Sequence, residues 1–314
     1  MKIAMMGSGG IGGYFGGRMA AAGHDVTFIA RGAHLNAIRA NGLAIDSREL
    51  DDALVKPAQA TDNPAEVGPV DCVIVGVKLG DTEDAARAIQ PMLGPNTMVL
   101  SLQNGFEGDD VLSAIVGSER VIGGVAFIAA SIARPGVIGH IGTLQRVVMG
   151  EHREKGGGTS PRIEALHRAM LDGGITAEIS DDIDRTMWEK FVFLVGLSAT
   201  TTLMRTTIGP IREDPDRRRV LYDIIAEAVA VGRARGIALP ENYADERMEF
   251  VDGLPFDMTS SMHHDLENGK PLEVAWLSGS VARHGEALGV TTPVNRAVFA
   301  ALKDRAAPGP SSNS

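Results

Sequence analysis

Short apolar runs alternate with helix-like stretches through the first half of the chain, at the spacing of successive βα units. Residues 2–6 form an apolar run that predicts a strand, residues 13–22 are rich in small helix-compatible residues, and residues 25–30 predict a second strand. A helix is expected at 34–40, strands at 43–45 and 71–77, a helix at 82–89, and strands at 97–101, 121–129 and 137–149. Arg134, Pro135 and Gly136 mark the turn between the last two. This order predicts an α/β fold, doubly wound about a mostly parallel sheet. The polar segment 151–160 reads as a surface loop. From about residue 180 the strand signals stop and an all-helical C-terminal domain is expected. Its helices run from 181 through 198, from Pro215 behind the capping Asp214 to near 236, at 257–267, at 271–289, and from 292 to about 303. The predicted division is 1–180 and 181–305, with 306–314 a disordered tail.

The link between the first strand and helix carries the first chemical signal. Gly7, Ser8, Gly9, Gly10, Ile11 and Gly12 form a glycine loop between a strand and a helix, and the second strand follows one helix later. In a Rossmann-type unit the first glycine permits the tight turn. The second lets backbone N–H groups approach a pyrophosphate, and the third permits close helix–strand packing. The end of the second strand carries Arg31, with no carboxylate at residues 30–34. A planar guanidinium suits the 2′-phosphate of NADP(H), whereas an NAD site places an Asp or Glu there.

Length and composition narrow the setting. The chain has 314 residues, enough for two domains at roughly 150 residues each. A formal charge of −10 opposes nucleic-acid binding, which needs a basic surface, but leaves room for a local cationic pocket that takes an anionic small molecule. The one cysteine, Cys72, lies in an apolar strand and reads as packing. With no internal disulfide, and neither a leader nor a membrane-spanning stretch legible, a cytoplasmic location without membrane association is expected. The apolar stretch 220–234 would serve a homodimer interface as readily as a core.

Hydride delivery to a carbonyl leaves an alkoxide that needs a proton, and a positioned lysine can supply it. Lys190 stands on an otherwise apolar helix, with Leu194 and Ser198 on the same face at i+4 and i+8; a lysine snorkelling from a buried helix is the alternative. Lys78 and Asn104 follow strands at their carboxyl ends, where open α/β sheets bind ligands, although Asn104-Gly105 is also a common turn pair. Ser260 and Ser261 could meet a carboxylate or simply cap a helix, and Glu273 in a first helical turn suits the helix dipole. His263 and His264 have no partner spacing that would make a metal site, so none is expected.

Together these segments resemble the ketopantoate reductase (2-dehydropantoate 2-reductase) family from Met1 to about Lys303. The matching residues are the loop at 7–12, Arg31, Val77-Lys78 with Asp81-Thr82, Gln103-Asn104-Gly105, Trp188-Glu189-Lys190, Ser260-Ser261-Met262 with Asp265, and Glu273. The resemblance implies NADP(H) as cofactor, a 2-oxo acid as substrate, and a role in pantothenate biosynthesis. It also implies a cleft between a Rossmann domain and a helical domain. Lys190 would be the proton donor, Asn104 and Lys78 would contact cofactor or substrate, and Ser261 would hold the substrate carboxylate. Glu273 would reach the cofactor or the substrate hydroxyl, and Ala130 would lie on the nicotinamide side.

The chain departs from that family where asparagines usually follow the lysine. Here Leu194, Ser198 and Ile208 occupy those places. Loss of a buried amide can cost a polar site orders of magnitude in discrimination. The nominal activity is therefore reduction of 2-dehydropantoate to (R)-pantoate, with a more apolar oxo acid or ketone as the first alternative. A cofactor-binding sensor without turnover is the alternative from another class.

Overall fold

The computed structural model describes residues 1–307 and 309. The chain divides into two compact units, Met1–Thr186 and Met187–Ser314.

The first unit opens with β1 (Lys2–Met6), α1 (Gly10–Ala21), β2 (Asp25–Ile29), α2 (Gly32–Asn41), β3 (Leu43–Ser47), β4 (Ala53–Val55) and β5 (Gln59–Thr61). It continues with β6 (Val70–Val75), α3 (Thr82–Ala88), β7 (Leu93–Ser101), α4 (Glu107–Val116), β8 (Val121–Arg134), β9 (Val137–Gly150), α5 (Pro161–Asp172) and β10 (Thr176–Ile179). One ten-stranded sheet results, ordered β4-β3-β9-β8-β7-β6-β1-β2-β5, with β10 also paired to β9. Among the strands of the described residues only β3–β4 and β8–β9 pair antiparallel, so the sheet is mixed but mainly parallel. Strand alternation explains why helices cover both faces. Ile3 and Met5 of β1, with Cys72 and Ile74 of β6, join one apolar cluster. Ala4, Met6, Val73 and Val75 join the other, with Ala85 of α3 and Leu112 of α4. The chain leaves β1 toward β2 on one side and returns to β6 on the other, which makes the carboxyl ends of β1 and β6 the topological switch point.

In the second unit α6 (Ile183–Met204), which begins in the first, is followed by α7 (Ile208–Glu213), α8 (Pro215–Ala234) and α9 (Tyr243–Asp252). Then come α10 (Ser261–Glu267), α11 (Ser278–Leu288) and α12 (Pro293–Leu302). Asp214 caps α8 as expected, accepting from the N–H groups of Asp216 and Arg217. The apolar positions Leu221, Ile224, Ile225, Ala228 and Val229 of α8 are buried. That helix therefore spends these apolar positions on the core of its own unit. Residues 271–289, expected as one helix, are broken after the 3-10 turn Glu273–Ala275.

Two expectations change at the unit's edges. Ala306 bridges to Leu272, and the Ala307 N–H donates to the Leu272 carbonyl, so the start of the supposed tail is held by backbone pairing. The rest of that tail, Gly309 apart, lies outside the described residues. The segment 151–160 is not merely a polar surface loop. Glu151 is buried and grips Arg162 through both carboxylate oxygens at 2.6 Å. His152, 13% exposed, lies between Asp109 Oδ2 at 3.2 Å and Asp184 Oδ1 at 2.6 Å. Buried charges persist only when paired, and this trio ties α4, the loop after β9 and the first turn of α6 together.

Burial works against the His152 charge, yet the two carboxylates outweigh it and raise the pKa to about 10. The folded state therefore retains a proton that an unfolded histidine loses near its ordinary value of about 6.5. The resulting stability is full below that value and fades as pH rises toward about 10. Urea unfolding from pH 6 to 10 is expected to show this decline in the native chain and not in His152→Gln. His152→Ala, which leaves two carboxylates facing each other, should cost about 3 kcal/mol at pH 7.

Candidate active site

The glycine loop sits at the switch point, and its side-chain-free positions are required by how closely the backbones approach. Gly7 has φ +95°, and a methyl group there would stand 2.7 Å from Val77 Cγ1. Gly12 is tighter still, because an added Cβ would fall 2.0 Å from the Gly7 carbonyl oxygen. At Gly9, by contrast, a methyl would meet nothing within 4 Å, so this side of the loop is open. Gly9 caps α1 without a side-chain hydrogen bond, and the first turn of α1 contains no acidic residue. The N–H groups of Gly10, Ile11 and Gly12 begin the helix, where such groups have no intrahelical acceptor and carry partial positive charge. Gly10 packs on Ala130, whose carbonyl oxygen would lie 2.1 Å from an added Cβ. These features suit a dinucleotide pyrophosphate.

A cavity of about 250 Å³ opens beside the loop. Gly7, Ser8, Gly9 and Arg31 line it together with His34, Val77, Asp81, Asp84 and Ile132. Arg31 is exposed at the N-cap of α2, whose first turn also lacks acidic residues. Ser8 is turned inward, since its N–H and hydroxyl both reach the Ile29 carbonyl, at 3.1 and 3.0 Å. What it offers the cavity is packing, since its hydroxyl is spent on the Ile29 carbonyl.

Lys78 is exposed and precedes the 3-10 turn Leu79–Asp81, while Asn104 is partly buried after β7. Between them stands buried Gln103. Its amide donates to the Val77 carbonyl at 3.0 Å and to Thr82 Oγ1 at 2.8 Å, and its oxygen accepts from Ser101 at 3.1 Å. This clasp joins the loops after β6 and β7 that carry Lys78 and Asn104. Gln103 adjoined the expected contact residue, but nothing local in the sequence marked it as the clasp. His34 likewise lay only three residues beyond the expected contact residue Arg31. Ile132 gave no signal, because β8 extends past the predicted strand end at 129.

In the helical unit, Trp188 anchors the helix that carries the candidate acid. Its indole N–H donates to the Ala228 carbonyl of α8 at 3.1 Å, and its ring meets Phe191 edge-on at 5.2 Å. Lys190 retains some exposure as a residue, but its ammonium is enclosed, and burial pulls the pKa down to about 8. Leu194 is partly buried and Ser198 fully so, and Ile208 is buried at the start of α7. Ser260 caps α10 by accepting from the His263 N–H at 3.1 Å, and its hydroxyl also pairs with Thr201 at 2.9 Å. Ser261, the next residue, is exposed, whereas Glu273 is buried. The two serines are thus divided between capping and an accessible hydroxyl.

A phosphate-ready loop at a doubly wound switch point and a lysine of lowered pKa on a helical unit together describe a nicotinamide-dependent oxidoreductase. Residues 3–154 match the family described as Ketopantoate reductase PanE/ApbA, and residues 182–306 match its C-terminal region. The chain is 32% identical over 324 residues to the 2-dehydropantoate 2-reductase of Mesorhizobium japonicum, covering 96% of this chain and 97% of that one. It is 30% identical over 305 residues to YkpB of Bacillus subtilis, described as an uncharacterized oxidoreductase, covering 96% and 98%. The crystal structure of a PanE/ApbA family ketopantoate reductase from Ralstonia eutropha matches with a TM-score of 0.87 at 33% identity, covering 96% and 97%. This chain belongs to the ketopantoate reductase family. It is an oxidoreductase of the CH–OH/C=O couple. No helix among the described residues is long and apolar enough to cross a membrane.

The loop geometry separates two kinds of glycine. Gly12→Ala is expected to lower the melting temperature, at a cost of about 1–3 kcal/mol for forcing a methyl into occupied space. Gly9→Ala should melt as the native chain does, because its methyl meets only open space, yet bind NADP⁺ more weakly by calorimetry. Equal binding by Gly9→Ala and the native chain would mean that the open side of the loop is not the phosphate side.

Proposed function

We propose that this chain reduces a 2-oxo acid with NADPH, and that its substrate is 2-dehydropantoate, giving (R)-pantoate. The observation that carries this reading is Lys190, an ammonium enclosed on an apolar helix with its pKa drawn down to about 8. Residues 1–180 serve as the cofactor domain and 181–305 as the substrate and catalytic domain. The loop at 7–12 takes the pyrophosphate on the N–H groups heading α1. Arg31 takes the 2′-phosphate, assisted by the N-terminus of α2, while Asp81 and Asp84 in the same cavity make that cation the phosphate's necessary partner. Lys78, Asn104, Ala130 and Glu273 complete the cofactor contacts.

When bound, NADPH supplies a hydride to the substrate carbonyl carbon. Lys190 holds the proton that the carbonyl oxygen needs as charge develops there, and desolvation makes that proton easier to give than from an ordinary lysine. Asn104 orients the substrate, and Ser261 supplies the free hydroxyl for its carboxylate, since Ser260 is already committed to capping. Ser198 and Leu194 line the same face of α6 as Lys190. Leu194 supports a second reading, in which the preferred substrate is a more apolar oxo acid.

Lys190→Ala is expected to lower kcat by about 10²–10⁴ without changing the melting temperature, the range typical of a lost general acid. Because only the protonated lysine donates, log kcat/KM for reduction should fall with rising pH through about 8. A flat profile up to pH 9.5 would remove Lys190 from the acid role. For the substrate, kcat/KM measured across 2-oxo acids decides between the readings. If 2-dehydropantoate leads, Leu194 is tolerated; if larger apolar acids lead, Leu194→Asn should shift the order back toward 2-dehydropantoate. Arg31→Ala should reduce the preference for NADPH over NADH by at least about tenfold, as expected when a paired phosphate loses its guanidinium.

A further inference from the structure

His34 lies one turn into α2 and lines the same cavity as Arg31. Both of its ring nitrogens are engaged by main chain. The Gly136 N–H donates to Nδ1 at 3.0 Å, and Nε2 faces the Ser8 carbonyl oxygen at 2.9 Å. A backbone N–H can only donate and a carbonyl can only accept, so Nδ1 must be bare and Nε2 must carry hydrogen. These partners admit only the neutral Nε2–H tautomer. Burial also disfavours the ring's charge, in the same direction.

The two partners belong to two parts of the cavity wall, the glycine loop and the β8–β9 hairpin, and His34 adds a second tie between them beside the packing of Gly10 on Ala130. Ser8 is the second residue of the glycine loop, and with its N–H and hydroxyl given to Ile29, its carbonyl is the group left to brace. Gly136 forms the turn of the β8–β9 hairpin, and its own carbonyl accepts from the Ala44 N–H at 3.0 Å. The hairpin arm leading to it brings Ile132 into the cavity and sets Ala130 against Gly10.

We propose that His34 is a positioning residue for the dinucleotide, a neutral brace that holds the glycine loop and the β8–β9 hairpin at the separation the cofactor requires. The inference rests on the assignment of residues 7–12 to the cofactor. Gaining a proton at Nδ1 would set N–H against N–H at Gly136, so acid should release the brace. The charged groups facing the ring's surroundings are Arg31 from its own turn, Asp81 and Asp84 from the 3-10 turn and α3, and Arg134 beside the hairpin turn. The glycine loop contributes none.

The test combines imidazole ¹⁵N NMR of the native chain with calorimetric NADP⁺ titration of the native chain, His34→Phe and His34→Gln between pH 5.5 and 8. The ¹⁵N shifts should show one bare Nδ1 and one protonated Nε2 at pH 7.5. His34→Phe keeps the ring's bulk and loses both hydrogen bonds, so its Kd should rise about tenfold. Gln can donate to Ser8 and accept from Gly136, so His34→Gln should stay within about threefold of the native Kd. It should also show a weaker acid dependence, retaining only the titration of the 2′-phosphate itself, near pH 6. Amide exchange should quicken at residues 7–12 and 130–137 in the Phe variant only. A protonated Nδ1 at pH 7.5, or native binding by His34→Phe, would overturn the brace. If His34→Phe does not fold, the native tautomer and the difference in acid dependence between the native chain and His34→Gln decide alone. No NADP⁺ binding by the native chain would instead overturn the cofactor assignment itself.

Discussion

The close approach of two backbones at Gly7 and Gly12 is the constraint on which the ligand face of the first unit depends. With 2.0 Å between the Gly7 carbonyl and any methyl on Gly12, α1 can start where it does only if that methyl is missing. The start of α1 decides where its N-terminal N–H groups converge, and so where an anion can be held. The parallel order β6-β1-β2 then places the exit of β6 and the Arg31 turn beside the same opening. Glycine supplies the geometry here, and the charge is added by one arginine and a helix dipole.

The helical unit answers a different physical problem, how to keep a cation on an apolar helix. Trp188 secures α6 to α8, and Lys190 lies about half a turn further on, within a largely buried stretch. Desolvation penalises its charge and brings its pKa down to about 8. Leu194 extends that apolar surface where a polar side chain would have offered a hydrogen bond.

The βα order, the glycine loop, Arg31 and the lysine helix were all legible because each is written in contiguous residues with its own periodicity. Gly7 and Gly12 stand where a tight turn and close backbone approach require them. The inward turn of the Ser8 hydroxyl was hidden, because its direction depends on which carbonyl lies within reach, and Ile29 supplies one. The pairing of Ser260 with Thr201, 59 residues away, was equally hidden, and it leaves Ser261 as the accessible hydroxyl. The segment 151–160 looked solvated because its composition is polar. Its Glu151 is nevertheless buried against Arg162, and the largely covered His152 meets carboxylates 43 and 32 residues away.

Sequence alone determined the class of fold, the place of the phosphate loop and the residue types available for hydride chemistry, since strand and helix periods and backbone sterics act over a few neighbours. Only the tertiary structure decided which polar groups remain available and which are already spent. It gave both ring nitrogens of His34 main-chain partners, set Gln103 as a clasp between two loops and put His152 between two carboxylates, because a side chain's protonation and partners are set by burial and by groups that the fold brings within about 3 Å.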